Sequence, residues 1–268
     1  MKIAVLGLDG KKKSTLELPA QFNEPVRPDL IWRAVLALRS KARQRFGVAW
    51  SAGKKASAKL SRRRRAYKAS YGFGISRTPR KVLSHRGRRF VWTGAVAPQT
   101  VGGRVAHPPK PKVWSHKINK KEAAKALRSA LSATMQPDLV ALRGHALPSG
   151  WPFAADSSLE ELSKTAQVRA ALAAMGFKPE LDRCDRRKIR AGKGKRRARP
   201  YKCPRGPLIV VSSDCALLRS GRTLPGVAIA RMAELNPEIL APGAAPGRLT
   251  LFTEAALKVM AKEGLFSR

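Results

Sequence analysis

Outside two polar stretches, the apolar residues of this chain follow strand-like and helix-like periods in turn. Ile3 to Leu8 is apolar, Asp9-Gly10 is a turn signal, and Ser14 to Leu18 alternates between apolar and polar residues. This pattern predicts a β-hairpin at the start of the fold. Apolar residues then recur at helical spacing from Pro28 to about Phe46, which predicts a helix that covers a sheet.

Two pairs of residues in the second half of the chain have the spacing of capping boxes. Asn119 with Glu122 predicts the start of a helix that ends before position 137, and Ser157 with Glu160 predicts a second helix that Gly176 ends. Residues 138–142 form a short apolar stretch that fits a strand or a last helical turn.

The remaining apolar runs predict that strands and helices alternate. Leu208 to Val211 is the strongest strand, since it is unbroken and β-branched like a buried parallel strand. Further strands are predicted at 177–181, 227–230 and 249–252, with short helices near 215–218 and 236–237 and a final helix at about 254–262. This alternation favours an α/β layered body with a mostly parallel sheet.

Basic residues are concentrated in two segments. The chain has 55 Lys and Arg against 17 Asp and Glu, a formal charge of +38. Residues 43–112 contain 19 of these bases, residues 186–205 contain 11, and neither segment contains an acidic residue. Because like charges at this spacing repel one another, a partner must supply the negative charge. Pro and Gly interrupt the first segment too often for a long helix or a central strand, so we predict an extended loop that becomes ordered against a polyanion.

Aromatic residues among the bases of the first segment indicate which polyanion it binds. Guanidinium groups bind phosphate oxygens in pairs, and the rings of Tyr67, Phe90 and Trp92, with two others nearby, offer faces for unpaired bases. A disordered, solvated segment is the common alternative for a run of charge. The aromatic residues and the internal position of the segment favour RNA or DNA contact instead. The predicted contacts are Arg62, Arg63, Arg64, Arg65, Tyr71, Phe73, Arg77, Arg80, Lys81, Arg86, Arg88, Arg89, Gln99, Gly102, Gly103, Arg104, His107 and Lys110.

The sequence APQTVGGRVAHPPK, at 97–110, is the most informative part of this segment. Its two adjacent glycines permit backbone to approach phosphate closely, or they simply form a turn. Arg104 is expected to bind phosphate. His107 either stacks on a base or donates to phosphate, or it has a structural role alone, which is the commoner case for a lone histidine.

Residues 186–205, RRKIRAGKGKRRARPYKCPR, are predicted to form a second basic loop with a flexible centre at Gly192 and Gly194. These glycines do not fit a dinucleotide fingerprint, because no strand leads into them and a third Gly is missing. They instead suit close approach of backbone to phosphate. The predicted contacts are Lys188, Arg190, Lys193, Lys195, Arg196, Arg197 and Arg199.

Three widely spaced cysteines indicate neither a disulfide framework nor a zinc site, so we expect no cofactor, no metal and a reducing compartment. No apolar run approaches the ~20 residues of a membrane-spanning helix. We therefore expect a soluble, intracellular protein without a membrane partner.

Four stretches of the chain resemble, in order, the family of the fourth protein of the large ribosomal subunit, in its archaeal and eukaryotic form. They are APQTVGGRVAHPPK at 97–110, DLVALRGH at 138–145, KIRAGKGKRRARPY at 188–201 and ELNPEILAPGAAPGRLTLFTEAAL at 234–257. The resemblance extends over nearly the whole chain. It implies a Rossmann-like α/β body, formed by residues 1–46 and 113–268, with residues 47–112 as an extended RNA-binding loop inserted in it and 186–205 as a second one.

The resemblance also implies a function and a set of partners. In that family the long loop is threaded into the large ribosomal RNA, its tip lines the constriction of the nascent-peptide exit tunnel, and the protein acts early in subunit assembly. The expected partners are therefore large-subunit ribosomal RNA, neighbouring large-subunit proteins and the nascent peptide, in cytoplasmic ribosomes. The tip would lie near residues 62–77, where SYGFG at 70–74 resembles a family element, although Ile75 and Ser76 precede Arg77 where the family often has Arg at once.

Two other classes of function compete with this one. An enzyme on a doubly wound sheet would use the strand ends, and a pocket with converging carboxylates there would support it, but the chain lacks a phosphate loop, a dinucleotide fingerprint and a nucleophile with a base. A chromatin-type protein that binds duplex DNA without sequence preference shares the charge but does not explain rings suited to unpaired bases. We therefore predict a structural RNA-binding protein and not an enzyme.

Overall fold

The structure is a computed structural model that describes residues 1–58, 61 and 63–266. The chain divides into two compact units. One contains Met1–Ala42 and His116–Arg268 and is called the body, and the other contains Arg43–Ser115 and is called the inserted unit.

The body is a mixed α/β structure. Its strands are β1 (Lys2–Leu6), β2 (Lys12–Glu17), β5 (Phe153–Ala155), β6 (Lys188–Ile189), β7 (Tyr201–Lys202), β8 (Leu208–Val211), β9 (Ala228–Arg231) and β10 (Thr250–Phe252). Its helices are α1 (Pro28–Ala42), α2 (Lys120–Thr134), α3 (Pro137–Leu142), α4 (Thr165–Leu172), α5 (Lys178–Asp185), α6 (Leu217–Ser220), α7 (Pro237–Leu240) and α8 (Glu254–Glu263).

Two small sheets form the centre of the body. One has the strand order β2-β1-β5, with β1 antiparallel to β2 and parallel to β5, and the other has the order β10-β8-β9 with all strands parallel. A single parallel bridge between Ala155 and Thr253 connects the ends of β5 and β10. The predicted hairpin, β1-β2, and the predicted strand at 208–211 are both confirmed.

Apolar side chains cover both faces of these sheets. Leu208 and Val210 of β8 belong to one buried cluster, with residues of α1, α2 and α8, whereas Ile209 and Val211 belong to a second cluster, with residues of α4. All four residues of β8 are fully buried. Because successive strand residues point to opposite faces, an unbroken apolar run is what a strand between two apolar layers requires.

Several predicted elements differ from the observed ones. Residues 177–181, predicted as a strand, are helical instead: Phe177 precedes α5 and residues 178–181 form its start, since Pro179 occupies its first turn and Gly176 turns the chain with φ of 89°. Residues 138–142 belong to the helix α3. Helix α1 ends at Ala42, not near Phe46. The short strand β5 was not predicted.

The two predicted capping boxes mark helical starts, but their glutamates bind elsewhere. Asn119 precedes α2 without a side-chain cap, and Glu122 pairs with Arg33 at 2.8 Å. The segment after Ser157 is a short 3-10 helix, Ser157–Glu161, and α4 starts only at Thr165, so the predicted single helix is divided.

The inserted unit contains a β-hairpin that was not predicted from the sequence. Strand β3 (Arg80–Arg86) pairs antiparallel with β4 (Arg89–Gly94), and Arg86 opposite Arg89 leaves a two-residue turn at Gly87, whose φ is 56°. Ala95 is the one buried residue in the part of this unit that the structure describes. The unit therefore folds without an apolar core of its own.

Among the described residues, the helices are all too short or too polar to cross a membrane.

We expect the body to fold without the inserted unit. Both apolar clusters consist of body residues. The two body segments that the linker would join, which end near Ala42 and start at His116, are close together, since the His116 N–H donates to Ser40 Oγ at 2.9 Å. A variant with a short Gly/Ser linker in place of residues 43–115 is expected to melt cooperatively, as followed by circular dichroism. The buried-core variant Leu131→Ala serves as a positive control and is expected to lose about 2–5 kcal/mol of unfolding free energy. Non-cooperative melting of the linker variant would show that the inserted unit belongs to the core.

Candidate nucleic-acid interface

The predicted contact residues lie almost entirely at the surface. Arg62 lies outside the described residues. The half-buried ones are Arg80, Lys81, Gly103, Arg104 and Arg190. The exposed ones are Arg63, Arg64, Arg65, Tyr71, Phe73, Arg77, Arg86, Arg88, Arg89, Gln99, Gly102, His107, Lys110, Lys188, Lys193, Lys195, Arg196, Arg197 and Arg199.

The β3-β4 hairpin places basic residues of both strands on one ribbon. Arg86 and Arg89 face each other across the turn, and Lys81 lies opposite Thr93. Arg80 also has an intramolecular role, since its Nη2 donates to Ser76 O at 3.1 Å and to Ser76 Oγ at 2.8 Å. The hairpin is thus a cationic ribbon whose first arginine fixes the preceding loop.

Cations of the inserted unit lie against aromatic rings. The Arg43 guanidinium carbon is 4.1 Å from the Trp114 ring centroid, and Lys112 Nζ is 4.2 Å from it. Lys54 Nζ lies 4.7 Å from the ring of Trp50. The unit has no carboxylate, so ring faces are the groups within it that attract a side-chain cation most directly.

Four aromatic rings form a cluster on the hairpin, which we call the aromatic cluster: Tyr67, Phe73, Phe90 and Trp92. Phe90 and Trp92, two residues apart on β4, are stacked with centroids 5.9 Å apart. Tyr67 meets Phe90 edge-on at 5.2 Å, and Phe73 meets Trp92 edge-on at 5.9 Å. Tyr67 and Phe73 each remain 66% exposed, so the cluster holds the loop on the hairpin and still presents ring surface to solvent.

The glycines at 102–103 serve a tight turn within the inserted unit. A Cβ on Gly103 would lie 2.1 Å from the carbonyl oxygen of Ala97, and the Gly103 N–H donates to Thr100 O at 3.0 Å. Gly102 has φ of 80°. These glycines therefore form a turn, and the turn leaves Gln99 and Gly102 exposed.

The second basic segment, residues 186–205, is a small folded arm. Strands β6 and β7 pair at its base, and its centre, predicted to be flexible, is a 3-10 helix, Gly192–Arg197. Arg190 donates from Nε to Arg199 O and from Nη2 to Tyr201 O, both at 3.2 Å. These bonds hold the two sides together while Lys193, Lys195, Arg196 and Arg197 stay exposed.

A buried glutamate connects this arm to the body. The Glu180 side chain is fully buried and accepts hydrogen bonds from His145 Nδ1 at 2.6 Å, Ala146 N at 3.0 Å and Arg183 Nη2 at 2.7 Å. The same Arg183 nitrogen donates to Arg205 O at 2.7 Å, at the end of the arm. Burial raises the pKa of Glu180, but the hydrogen bonds from Arg183, His145 and Ala146 outweigh it and lower the pKa to about 2.

Two other carboxylates lie at the ends of the strands, where an enzyme of this fold class would use them. Glu160 accepts from Ser212 Oγ at 2.6 Å and Thr253 Oγ1 at 2.5 Å, residues that follow β8 and β10. Asp156, after β5, accepts from Lys13 Nζ at 2.5 Å, which lowers the pKa of Asp156. Both carboxylates therefore connect segments of the body. Within the described ranges, no three His, Cys, Asp or Glu side chains are grouped to hold a metal ion.

Sequence reasoning missed exposed rings in both basic segments. Trp50 is 90% exposed beside Lys54, and Tyr201 is 55% exposed at the base of the second arm, opposite Ile189. Both lie within the basic segments, so the criterion of aromatic residues among bases, applied to every ring, would have included them.

Exposed cationic surfaces without carboxylates, together with acidic side chains that connect chain segments at the strand ends, are typical of a structural protein that binds a polyanion. The comparison with known proteins then identifies the group. The model of the ribosomal protein L4/L1 family matches residues 16–263, and the chain belongs to that family.

Similar proteins cover the chain almost completely. The large ribosomal subunit protein uL4 of Nanoarchaeum equitans is 44% identical over 268 residues, which are 99% of this chain and 100% of the relative. The proteins of the same name from Methanothrix thermoacetophila and Archaeoglobus fulgidus are 42% and 41% identical, each over 97% of this chain and 98% of the relative.

The negative charge of Glu180 is expected to stabilise the folded body at pH values above the pKa that this carboxyl has in the unfolded chain. Because the folded pKa of about 2 lies below the ordinary value of 4.5, this stabilisation is complete above about pH 5 and is lost as the pH falls toward 2. Glu180→Gln is expected to reduce the unfolding free energy by about 3 kcal/mol at neutral pH and by much less near pH 2.

Urea denaturation of both proteins across this pH range measures the difference. Asp182→Asn, an exposed carboxylate on the same helix, is the control and is expected to change little. A constant difference between wild type and Glu180→Gln at all pH values would contradict the assignment.

Proposed function

We propose that this protein is a structural component of the large ribosomal subunit and binds large-subunit ribosomal RNA through the inserted unit and the second arm. The carrying observation is that two surfaces with 19 and 11 bases contain no acidic residue and keep most of those bases exposed. Family membership and the names of the relatives support the ribosomal assignment.

Phosphate neutralisation supplies the affinity in this proposal. Each exposed Arg or Lys that meets a phosphate releases condensed counterions, so binding weakens steeply as salt increases. Shape supplies specificity, because a folded RNA offers phosphates and 2′-hydroxyls along one defined path. The hairpin, the turn at 97–104 and the folded arm each hold a set of Arg and Lys residues in place. The contact residues predicted from the sequence are proposed as the RNA contacts, with Arg80 and Arg190 also shaping the surface.

The domain boundaries follow the same proposal. Residues 1–46 and 113–268 are the globular body, 47–112 the extended loop on the RNA, and 186–205 a second RNA-binding loop. We interpret the body as a Rossmann-like, three-layer α/β fold. The bridge between Ala155 and Thr253, which would align the strands in the order β2-β1-β5-β10-β8-β9, and the apolar clusters on both faces support this interpretation.

The resemblance to the family supports a finer role. The inserted unit lines the nascent-peptide exit tunnel, with the region around residues 62–77 nearest the peptide, and neighbouring large-subunit proteins are further partners. The protein binds early in assembly of the subunit, in cytoplasmic ribosomes. The exposed glycine-rich sequence at 70–74 supports the position of the tip.

Binding to large-subunit ribosomal RNA is expected to exceed binding to random duplex DNA at matched, elevated salt. Filter binding or fluorescence anisotropy over a range of salt concentrations provides the comparison. Both nucleic acids present phosphates, so only a surface shaped for folded RNA retains a preference when electrostatic attraction is screened. Equal affinities at elevated salt would instead support the chromatin-type alternative.

Neutralising the second arm is expected to weaken RNA binding and its salt dependence together. In the variant Lys193→Gln, Lys195→Gln, Arg196→Gln and Arg197→Gln, the log–log salt slope should fall by up to about 0.9 for each lost duplex phosphate contact. A matched control replaces four exposed body bases, Lys164, Lys178, Arg222 and Lys262, with Gln. Equal losses in both variants would show that net charge alone binds the RNA.

A further inference from the structure

A cavity of about 700 Å³ lies beside the aromatic cluster. The rings of Tyr67, Tyr71, Phe73, Phe90 and Trp92 line it, together with cationic side chains of the loop and the hairpin turn. The cationic lining residues are Arg65, Lys68, Arg88 and Arg89. Its size is in the range of ligand sites, about 300–1,000 Å³.

The rings of this cavity exceed what the folding of the hairpin needs. Phe90 and Trp92 on β4 are half-buried and stack on each other, and this stack supports the hairpin without the loop rings. Tyr67 and Phe73 reach them only with edge contacts and leave two thirds of their own surface exposed. Exposed rings of this size are typical of a stacking platform, in a unit whose described residues include a single buried one.

The charges around the cavity select the ligand. The four surrounding basic side chains would repel a cationic ligand in an aromatic cage, and the unit contains no carboxylate to offset their charge. An uncharged apolar ligand would supply no negative charge to these basic side chains. A flat ring joined to a phosphate satisfies both features, because the ring stacks and the phosphate binds guanidinium.

We propose that this cavity binds one unpaired purine nucleotide of the RNA, with the base on Tyr67 and Phe73 and its phosphate on Arg88 and Arg89. The proposal rests on the proposed function and deepens it, since it adds a built site for a single unpaired base to a surface that otherwise reads the RNA backbone. Purines are favoured because their larger ring surface stacks more extensively.

The test compares two RNAs of equal sequence, one duplex with a single bulged adenosine and one fully paired. Affinities of the full-length protein for each, at matched salt, are measured by fluorescence anisotropy. Wild type is expected to bind the bulged RNA at least about fivefold more tightly, the lower end of what stacking of one base contributes. In Tyr67→Leu and Phe73→Leu this preference disappears while affinity for the paired RNA is unchanged.

Two controls separate the cavity from aromatic content in general. Tyr67→Phe retains the ring and is expected to retain the preference. Trp50→Leu removes a more exposed ring of the same unit, outside the cavity, and is also expected to retain it. Equal loss in Trp50→Leu and Tyr67→Leu would overturn the proposal. Loss of affinity for both RNAs in Tyr67→Leu would also overturn it, since the ring would then serve only to hold the unit together.

Three further outcomes distinguish this proposal, its alternatives and the proposed function from one another. Adenosine monophosphate that binds the protein, while the bulged RNA gains no advantage, would make the cavity a site for a free nucleotide and contradict the proposal. Equal, salt-dependent binding of both RNAs by wild type would overturn the cavity site and leave the proposed function intact. Absence of salt-dependent binding to ribosomal RNA would instead overturn the proposed function.

Discussion

Repulsion between like charges is the constraint on which the organisation of this protein depends. The inserted unit has no acidic residue, so it cannot form an internal ion pair, and among its described residues it buries only Ala95. Its cations lie on rings instead, as Arg43 does on Trp114 and Arg64 on Tyr71, at 5.0 Å. In the body, which contains every acidic residue of the chain, the bases are partly neutralised by ion pairs such as Arg128 with Glu24. The two units thus solve the same electrostatic problem by different chemistry, and only the body does so with carboxylates.

The body provides the rigid part of this arrangement. Strand β8 lies between two apolar clusters, and Glu160 binds the segments after β8 and β10 to the segment after β5. Glu180 does the same for the second arm, because Arg183 bonds to both its carboxylate and the carbonyl of Arg205. A buried carboxylate that lost its partners would be costly, so such contacts keep the start and the end of the arm in a defined position. Acidic residues in a strongly basic protein are here used mainly to hold chain segments in place.

An RNA-binding function follows naturally from this division. Segments whose ends are fixed but whose side chains stay positively charged and exposed gain most of their stabilisation when phosphates surround them. The folded hairpin and the folded second arm reduce the entropic cost of ordering these segments on binding, because their turns and strand pairs are formed without RNA. The aromatic cluster adds a feature that charge alone does not provide, namely ring surface against which a base can stack. Under the proposed function, affinity, shape and base contact therefore depend on different residues.

The sequence by itself determined the features that depend on local pattern and composition. Alternation predicted the β1-β2 hairpin, the apolar run predicted β8, and the absence of acids marked both basic segments, since each signal lies within a few consecutive residues. Only the tertiary structure decided which partner each polar side chain takes. Glu160 and Glu122 had the spacing of capping residues but bind groups 52 and 89 positions away, and residues 177–181 are helical because Pro179 and the partners of Glu180 outweigh their apolar pattern. These pairings depend on contacts between segments that are far apart in the sequence, and a local pattern of apolar residues does not reveal them.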